Sequence, residues 1–311
     1  MATCLVYNLS GELDDISHLL PNERLGRIAA IAREAGATAT VLDRANLADL
    51  VRMGPDYMRA LGELDFYGHG EVYDAGVEAE ARALADRDCG MLFLNLWHGT
   101  GFKFSIDLAR ALKRLRPDLA IYGVGQKVDW AKEHILTLAE GALDGLVTGL
   151  GYDAVRHVAQ GGRLGDAGHS VVQTGDGLQV NAGHAINVDD FPLADYAPDT
   201  YTTISGKVPI FSLMLSNQGC PNRCTFCIRP ANYGRENIAR DVACVMDEVR
   251  RLHAAFGARH FRIEDSTPPR GGLTALAQAV LDSDLRGKLR FSGFSRIDTG
   301  AAEDFALMRE A

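Results

Sequence analysis

The stretch Met91–Val124, MLFLNLWHGTGFKFSIDLARALKRLRPDLAIYGV, decides the fold class of the first half of the chain. Its two ends, Met91–Leu96 and Leu119–Val124, are almost continuously apolar, which is typical of parallel strands that are covered on both faces. Between them an apolar face at helical spacing runs over Ile106–Leu115, and Pro117 ends the helix. The stretch therefore predicts one strand–helix–strand unit.

The same alternation extends to both sides of this unit. Further apolar runs, with helical patterns between them, occur at Cys4–Tyr7, Thr38–Leu42 and Gly145–Thr148. Alternating strands and helices predict an α/β fold with a doubly wound parallel sheet of the Rossmann-like type, which we assign to residues 1–160. The ligand crevice of such a sheet lies beyond the C-terminal ends of its strands.

Residues 161–205 are predicted to form an irregular linker. They begin with the glycine-rich polar stretch Gly161–Asp166, and no clear apolar period follows it. Residues 206–311 return to the alternating pattern, in three strand–helix units. Their strand-like runs are Val208–Leu215, Arg259–Ile263 and Leu289–Phe294. The first helix of this series is predicted to begin near Ile238 and to end at Gly257.

Composition excludes several classes of protein. The 311 residues carry a net charge of -9, so no overall positive field attracts nucleic acid. Hydrophobic residues make up 47% of the chain, but no apolar stretch reaches the length of about twenty residues that a membrane span needs. The N-terminus, Met1–Cys4, lacks the basic start of a signal peptide. We therefore expect a cytoplasmic globular protein without a membrane partner.

One short segment concentrates the chemistry. Gly219–Arg229, GCPNRCTFCIR, contains Cys220, Cys224 and Cys227 in overlapping C-x3-C and C-x2-C spacings. So tight a loop can aim three thiolates at one centre. Three thiolates on a four-iron cluster leave one iron without a protein ligand, and a small molecule can bind there. The segment contains arginines and no carboxylate, which lowers thiol pKa values and offsets the charge of a cluster.

A structural zinc site is the alternative for this loop. Such a site needs four ligands, and the nearest downstream candidates for the fourth, Cys244 and His253, lie in a predicted helix. The cysteines outside the loop, which are Cys4, Cys89 and Cys244, stand in apolar runs and are predicted to be core residues. Clustered cysteines in a cytosolic chain indicate metal or redox chemistry rather than disulfides.

The cysteine loop and the segments after it resemble the radical S-adenosylmethionine (SAM) superfamily. The resemblance lies in C-x3-C-x2-C at the end of a first strand, in Phe226 before the last cysteine, in Gly234–Ile238 entering a helix and in Phe261–Ser266 at the end of the next strand. It implies a (β/α) barrel, of which residues 206–311 would form the N-terminal half. It also implies a 4Fe-4S cluster whose open iron binds SAM, and reductive cleavage of SAM to a 5′-deoxyadenosyl radical.

The same resemblance implies a set of SAM contacts. In the family, residues after the second and third strands help to hold SAM, and here those positions are Glu264, Asp265, Ser295 and Arg296. Phe226 is assigned to the same set. No catalytic residue is assigned, and no motif identifies the substrate, which is a small molecule or a peptide. An external electron donor of the flavodoxin or ferredoxin type is expected.

A doubly wound domain before a radical SAM barrel resembles the cobalamin-binding members of the superfamily. The resemblance extends over nearly the whole chain and includes motifs after the third, fourth and fifth strands. Glycines at strand ends let the backbone approach a flat, bulky ligand closely. The predicted cobalamin contacts are His98, Gly99, Thr100, Gly101, Gly123, Gly125, Gly149 and Gly151.

Two departures from the family pattern concern this cofactor. Many relatives carry Gly-Glu-Gly-Glu after the fifth strand; here the glycines, Gly149 and Gly151, are present and both glutamates are absent. None of the nine histidines has an aspartate two positions before it, so the cobalt-ligating Asp-x-His-x-x-Gly motif of the mutases is missing. Cobalt is expected to bind without that histidine, and His98 is the best-placed substitute. The alternative is a domain that keeps the fold without cobalamin.

The function that these resemblances imply is that of a cobalamin-dependent radical SAM methyltransferase acting on an unactivated carbon. Two alternatives stay open: a cobalamin-binding radical SAM enzyme that catalyses cyclisation or oxidation, and a non-catalytic module that senses cobalamin or redox state. The chain ends at Met308–Ala311, after three strand–helix units of the predicted barrel. We expect it to be C-terminally truncated, with an open sheet edge that favours association.

Overall fold

A computed structural model describes residues 2–9, 21–44, 70–97, 99–125, 128–196, 210–296, 298 and 301–311. These residues divide into two compact units. The first unit contains the N-terminal strand, the described residues between Arg24 and His184, and a segment that begins at Ala194. The second contains Pro21–Glu23, Ala185–Leu193 and the described residues from 210 onward. Within the described ranges, no helix has the length and apolar character needed to cross a membrane.

A seven-stranded sheet forms the centre of the first unit. Its strands are β1 (Thr3–Asn8), β2 (Thr38–Asp43), β3 (Met91–Asn95), β4 (Ala120–Val124), β5 (Gly145–Val147), β6 (Ser170–Thr174) and β7 (Gly177–Asn181). They lie in the order β2-β1-β3-β4-β5-β6-β7, and β1 to β5 pair in parallel. The prediction of a Rossmann-like, mostly parallel sheet in the first half is confirmed. The order reverses between β1 and β3, which is the switch point where such sheets bind ligands.

Helices accompany this sheet, and an apolar core cluster joins the sheet to several of them. The helices are α1 (Glu23–Glu34), α2 (Glu71–Ala85), α3 (Gly99–Leu115), α4 (Val128–Ala139) and α5 (Tyr152–Ala159). Every residue of β3 is buried, and its Leu92 and Leu94 belong to the same core cluster as Phe104 and Leu108 of α3. This burial on both faces explains why the strand is an unbroken apolar run in the sequence.

The prediction of an irregular linker at 161–205 is wrong for part of that stretch. A short 3-10 helix at Leu164–Asp166 precedes β6 and β7, which form a hairpin that pairs antiparallel with β5 and extends the first sheet. Much of this hairpin stays exposed, so it needs no long apolar run, and its only strong signal is the Gly175-Asp176 turn. A second 3-10 helix, Val188–Asp190, belongs to the second unit.

A three-stranded parallel sheet forms the centre of the second unit. Its strands are β8 (Ile210–Leu213), β9 (His260–Ile263) and β10 (Arg290–Gly293), in the order β10-β9-β8. Its helices are α6 (Arg229–Tyr233), α7 (Val242–Phe256), α8 (Gly272–Leu281) and α9 (Ala302–Glu310). Phe211, Phe261 and Phe291 stand in register across the three strands. The second alternating series is therefore present, and its identity as half of a radical SAM barrel stays a prediction.

Helix α7 begins at Val242, and the prediction that it begins near Ile238 is wrong. Asp241 caps its N-terminus, because the carboxylate accepts a hydrogen bond from the backbone N–H of Ala243 at 2.9 Å. The backbone N–H of Ile238 donates instead to the side chain of Asn217. The helix ends at Gly257, whose φ of +65° is left-handed, as the sequence predicts.

Candidate functional site

The three predicted cluster cysteines lie on a loop that follows the C-terminal end of β8. Two stretches, residues 215–219 and 236–240, run side by side where this loop leaves and returns, and we call them the loop neck. The backbone N–H of Arg240 donates to the carbonyl of Leu215 at 2.9 Å, and an antiparallel bridge lies next to this bond. Because β8 is a parallel strand, the loop stands at the edge of the sheet where α/β proteins bind ligands.

The side chain of Asn217 connects the two sides of the neck. Its Oδ1 accepts the backbone N–H of Ile238 at 2.9 Å and that of Gly219 at 3.2 Å, while its Nδ2 donates to the carbonyl of Glu236 at 2.9 Å. The residue is only 3% exposed. The two sides of the neck come so close at position 219 that only glycine fits, because a Cβ there would lie 1.9 Å from the carbonyl oxygen of Glu236.

Asp265, which follows β9, holds the neck against the sheet. One carboxylate oxygen accepts the backbone N–H of Leu215 at 2.7 Å, and the other accepts the hydroxyl of Ser216. The residue is 1% exposed. Burial raises the pKa of Asp265 to about 6, although these two hydrogen bonds act in the opposite direction. Both oxygens of this carboxylate are thus engaged inside the protein.

The three thiols of the loop differ in their surroundings. Cys220 is buried, Cys224 is half-buried and Cys227 is exposed. Burial raises the pKa of Cys220, but hydrogen bonds from Asn222 outweigh it, and the pKa lies below its ordinary value. The Nδ2 of Asn222 is 3.4 Å from the Cys220 sulfur, and a guanidinium nitrogen of Arg296 is 3.5 Å from the Cys224 sulfur. At Cys220 the hydrogen bonds from Asn222 favour the thiolate over the thiol.

The donor set fits an iron–sulfur cluster by its chemistry. Thiolates are the usual ligands of such clusters, and no carboxylate lies between Cys220 and Arg229. Across the described residues, no three His, Cys, Asp or Glu side chains stand together in an arrangement that could hold a metal ion. The binding of a cluster to the three thiols therefore stays a prediction.

The structure brings only part of the predicted SAM set to the loop. Arg296 lies beside Cys224, and Phe226 projects from the loop with 90% of its surface exposed. Glu264 accepts a hydrogen bond from the Ser212 hydroxyl at 2.8 Å, and about a third of its side chain, 34%, is exposed. Glu264 therefore has a carboxylate that a ligand can reach.

Two other members of that set are placed differently. Ser295 lines a cavity of about 370 Å³ together with Leu276 of α8 and Met308 of α9. Asp265 is buried, and its carboxylate is taken up by the loop neck. Contact between Asp265 and SAM stays a prediction that this geometry does not favour.

Four of the glycines predicted to contact cobalamin have a reason within the chain itself, either in its packing or in the backbone conformation. A Cβ built at three of them would meet the chain's own atoms at less than 3 Å. The nearest residues are Leu146 for Gly123, Asn95 for Gly125 and Val147 for Gly151, at 2.6, 2.7 and 2.2 Å. Gly125, Gly149 and Gly151 also have left-handed φ values of +116°, +57° and +52°, which favour glycine without any ligand.

The remaining predicted cobalamin contacts come just after β3. Gly99, Thr100 and Gly101 form the first turn of α3, and His98 lies outside the described residues. At the switch point itself, Asn95 donates to Asn8 at 2.7 Å and Asn8 donates to Asp43 at 2.8 Å. All three are at most 3% exposed. These side chains offer amide and carboxylate groups, and none of them is a usual ligand of cobalt.

Sequence reasoning missed three polar residues at the same edge of the first sheet. Asp129, in the first turn of α4, is buried and accepts the backbone N–H of Gly149, while its Oδ2 receives no hydrogen bond from the described residues. Burial raises the pKa of Asp129 to about 6. His169 lies 3.0 Å from Asp153. Asp129 was detectable as an acid opening a predicted helix, whereas nothing in the sequence pairs His169 with Asp153.

Comparison with protein-family models gives no match. A protein of Pyrococcus horikoshii named as an uncharacterized methyltransferase is 27% identical over 121 residues, and this match covers 36% of the present chain and 25% of that protein. The crystal structure of NtrX from Brucella abortus in complex with ADP aligns with 99% of this chain and 65% of its own, at 13% identity and a TM-score of 0.29. A similarity at that level carries no argument about fold or function.

Proposed function

We propose that this chain is a radical SAM enzyme that holds a 4Fe-4S cluster on Cys220, Cys224 and Cys227 and takes part in methyl transfer to an unactivated carbon. The cysteine loop is the observation that carries the proposal. It places three thiols within eight positions at the C-terminal end of the first strand of a parallel sheet. When bound, such a cluster supplies an open iron for SAM and passes on an electron from an external flavodoxin- or ferredoxin-type donor.

The neighbouring residues have separate tasks in this proposal. Arg296 offsets the negative charge of the thiolate at Cys224. Arg229 donates to the carbonyl of Glu264 at 3.1 Å, which orders the backbone at the end of β9 next to the loop. The reachable carboxylate of Glu264 is the group that we assign to the amino end of SAM. Phe226, exposed on the loop, offers an apolar surface to the adenosine.

Methyl transfer is the part of the proposal that the comparisons support. The relative from Pyrococcus horikoshii carries the name methyltransferase, and this favours methyl transfer over cyclisation, oxidation or a non-catalytic sensing role. The match covers a minority of each chain, so the activity of the whole relative enters only as a proposal here. The substrate class, a small molecule or a peptide, has no assigned contacts.

We extend the proposal to cobalamin at the switch point of the first sheet. Its support is the sheet order, which reverses between β1 and β3, the kind of point at which such sheets bind ligands. Since Asn8, Asn95 and Asp43 bond to one another there, we assign no cobalt ligand among them. The protein would hold the cofactor by shape and backbone contacts.

Anaerobic reconstitution of the full chain with iron and sulfide tests the cluster. We expect about four irons per chain and the paramagnetic signal of a reduced 4Fe-4S centre. Single substitutions of Cys220, Cys224 or Cys227 by Ala should abolish both. Cys244→Ala is the matched control, because this half-buried cysteine lies on α7 outside the loop, and it should retain the iron of the unmodified chain.

Other outcomes of the same preparation would overturn parts of the proposal. Stoichiometric zinc without iron would replace the cluster by a zinc site. A loaded cluster without formation of 5′-deoxyadenosine from SAM and dithionite would remove the radical SAM activity. Failure to retain cobalamin through gel filtration, followed by its visible absorbance, would refute the cofactor assignment for the first unit and leave the cluster assignment intact.

A further inference from the structure

We propose that Asn217 and Asp265 are positioning residues of the cysteine loop, which hold its neck so that Cys220 stays fixed at the edge of the second sheet. Neither residue is assigned a contact with the cluster. The link to iron binding rests on the proposed function, whereas the effect on the loop itself does not. Asp265 thereby receives a task other than the SAM contact that the family resemblance implies.

Asn217 is suited to this task because its buried amide satisfies backbone groups on both sides of the neck. It accepts from Ile238 and donates to Glu236 on the returning side, and it accepts from Gly219 on the outgoing side. Removing the amide leaves these groups without their partners in a buried place, which costs far more than the loss of an exposed hydrogen bond. The least costly response is for the neck to open to water.

Asp265 connects the neck to the neighbouring strand. It binds the backbone of Leu215 and the hydroxyl of Ser216, the second and third residues after β8. The same hydroxyl of Ser216 accepts the backbone N–H of Gln218 at 2.9 Å, and Gln218 has a left-handed φ of +63°. A continuous series of hydrogen bonds thus runs from the end of β9 to the second residue before Cys220.

Cys220 depends on the neck more directly than the other two cysteines. It follows Gly219, whose backbone lies against Glu236, and its own N–H donates to the carbonyl of Gly234 at 3.1 Å. Its side chain is buried, whereas Cys227 is already exposed. Opening the neck should therefore expose the thiol of Cys220 and leave the reactivity of Cys227 almost unchanged.

Thiol labelling of the iron-free, reduced full chain tests this inference. Rates are measured for each cysteine by mass spectrometry after timed exposure to iodoacetamide, for the unmodified chain and for Asn217→Ala and Asp265→Ala. We expect the Cys220 rate to rise about tenfold in both variants, as the loss of two or three buried hydrogen bonds allows, and the Cys227 rate to change less than about twofold. Thr274→Val is the control, since it removes only a hydrogen bond to Asp304 elsewhere in the unit.

Two measurements keep the outcome decisive if a variant unfolds. Amide exchange in α7 reports unfolding of the whole unit, and Asn217→Ser keeps a hydroxyl that can accept the Gly219 N–H. Cys220 labelling in Asn217→Ser should lie between those of the unmodified chain and Asn217→Ala, with α7 protected. An unchanged Cys220 rate in Asn217→Ser and Asp265→Ala, or equal increases at Cys220 and Cys227, would overturn the proposal.

Iron loading separates this inference from the proposed function. If the unmodified chain binds iron, Asn217→Ala should bind it with a several-fold lower yield under limiting iron, and Thr274→Val should not. If the unmodified chain binds no iron, the proposed function fails, and the labelling rates still decide whether Asn217 and Asp265 position the loop.

Discussion

The two sheets use buried polar side chains at their strand ends in opposite ways. In the first sheet Asn8, Asn95 and Asp43 bond to one another and so join the ends of three neighbouring strands. In the second sheet Asn217 and Asp265 bond mainly to the backbone of the loop that follows β8. Bonds between side chains connect the ends of neighbouring strands, whereas bonds from a side chain to the backbone fix the path of a loop. In our proposal, the second arrangement positions Cys220.

Glycines show the same contrast. Gly125 faces Asn95 inside the first sheet, and Gly219 faces the carbonyl of Glu236 across the loop neck. Both positions lack room for a Cβ, but for different reasons. At Gly125 the reasons are the packing of the first sheet and a left-handed backbone, and at Gly219 the reason is the close approach of the two sides of the loop neck. Substitution of Gly125 should therefore lower the stability of the first unit, whereas substitution of Gly219 should open the loop neck.

Gly219→Ala should have the larger effect. The added methyl group would lie 1.9 Å from a backbone oxygen, and backbone cannot move aside as a flexible side chain can. We expect a loss on the order of 3 kcal/mol in the stability of the second unit, with rapid amide exchange at Leu215 and Ile238. Urea unfolding and hydrogen exchange measure this, and unchanged exchange at the neck would show that it tolerates the approach.

Gly125→Ala should destabilise the first unit by about 2 kcal/mol, from its left-handed φ of +116° and the contact with Asn95. The experiment is urea unfolding without any cofactor. Gly175→Ala is the control, because a Cβ there meets no atom within 4 Å, and it should change stability by less than about 0.5 kcal/mol. Equal stabilities of the two variants would mean that Gly125 serves a ligand instead of the core.

Two buried carboxylates whose pKa values are raised, Asp129 and Asp265, allow the finest comparison. Asp265→Asn should lose about 1 kcal/mol at pH 7, because an amide cannot accept both the Leu215 N–H and the Ser216 hydroxyl through its two ends. Asp129→Asn should lose less or gain stability, since its amide oxygen can still accept from Gly149 and a poorly compensated buried charge disappears. A greater loss in Asp129→Asn than in Asp265→Asn would reverse this ranking.

The pH dependence of stability follows from the same pKa shifts. Each carboxyl has a pKa of about 6 in the folded protein and an ordinary value of 3.8, so the folded state binds the proton more tightly. The resulting stabilisation is complete below pH 3.8 and is lost as pH rises through 6. In urea unfolding between pH 4 and 7, each Asn variant should show a smaller fall in stability than the unmodified chain.

The sequence by itself determined the strands and the chemistry of the loop. Apolar runs predicted β1 to β5 and β8 to β10, and in β3, every residue of which is buried, the reason is burial on both faces, which requires consecutive apolar residues. The cysteine spacing is also local, since Cys220, Cys224 and Cys227 stand within eight positions. An exposed hairpin such as β6–β7 escaped this reasoning because its side chains need not be apolar.

Only the tertiary structure decided which polar residues hold the site. Asp265 meets Leu215 across fifty positions of sequence, and Asn217 meets Glu236 across nineteen, distances over which no local pattern carries information. The partners of Gly125 and Gly219 were hidden for the same reason, because the need for glycine there comes from atoms that folding brings close. Local chemistry thus predicted what the loop can bind, and long-range hydrogen bonds determined how the loop is held.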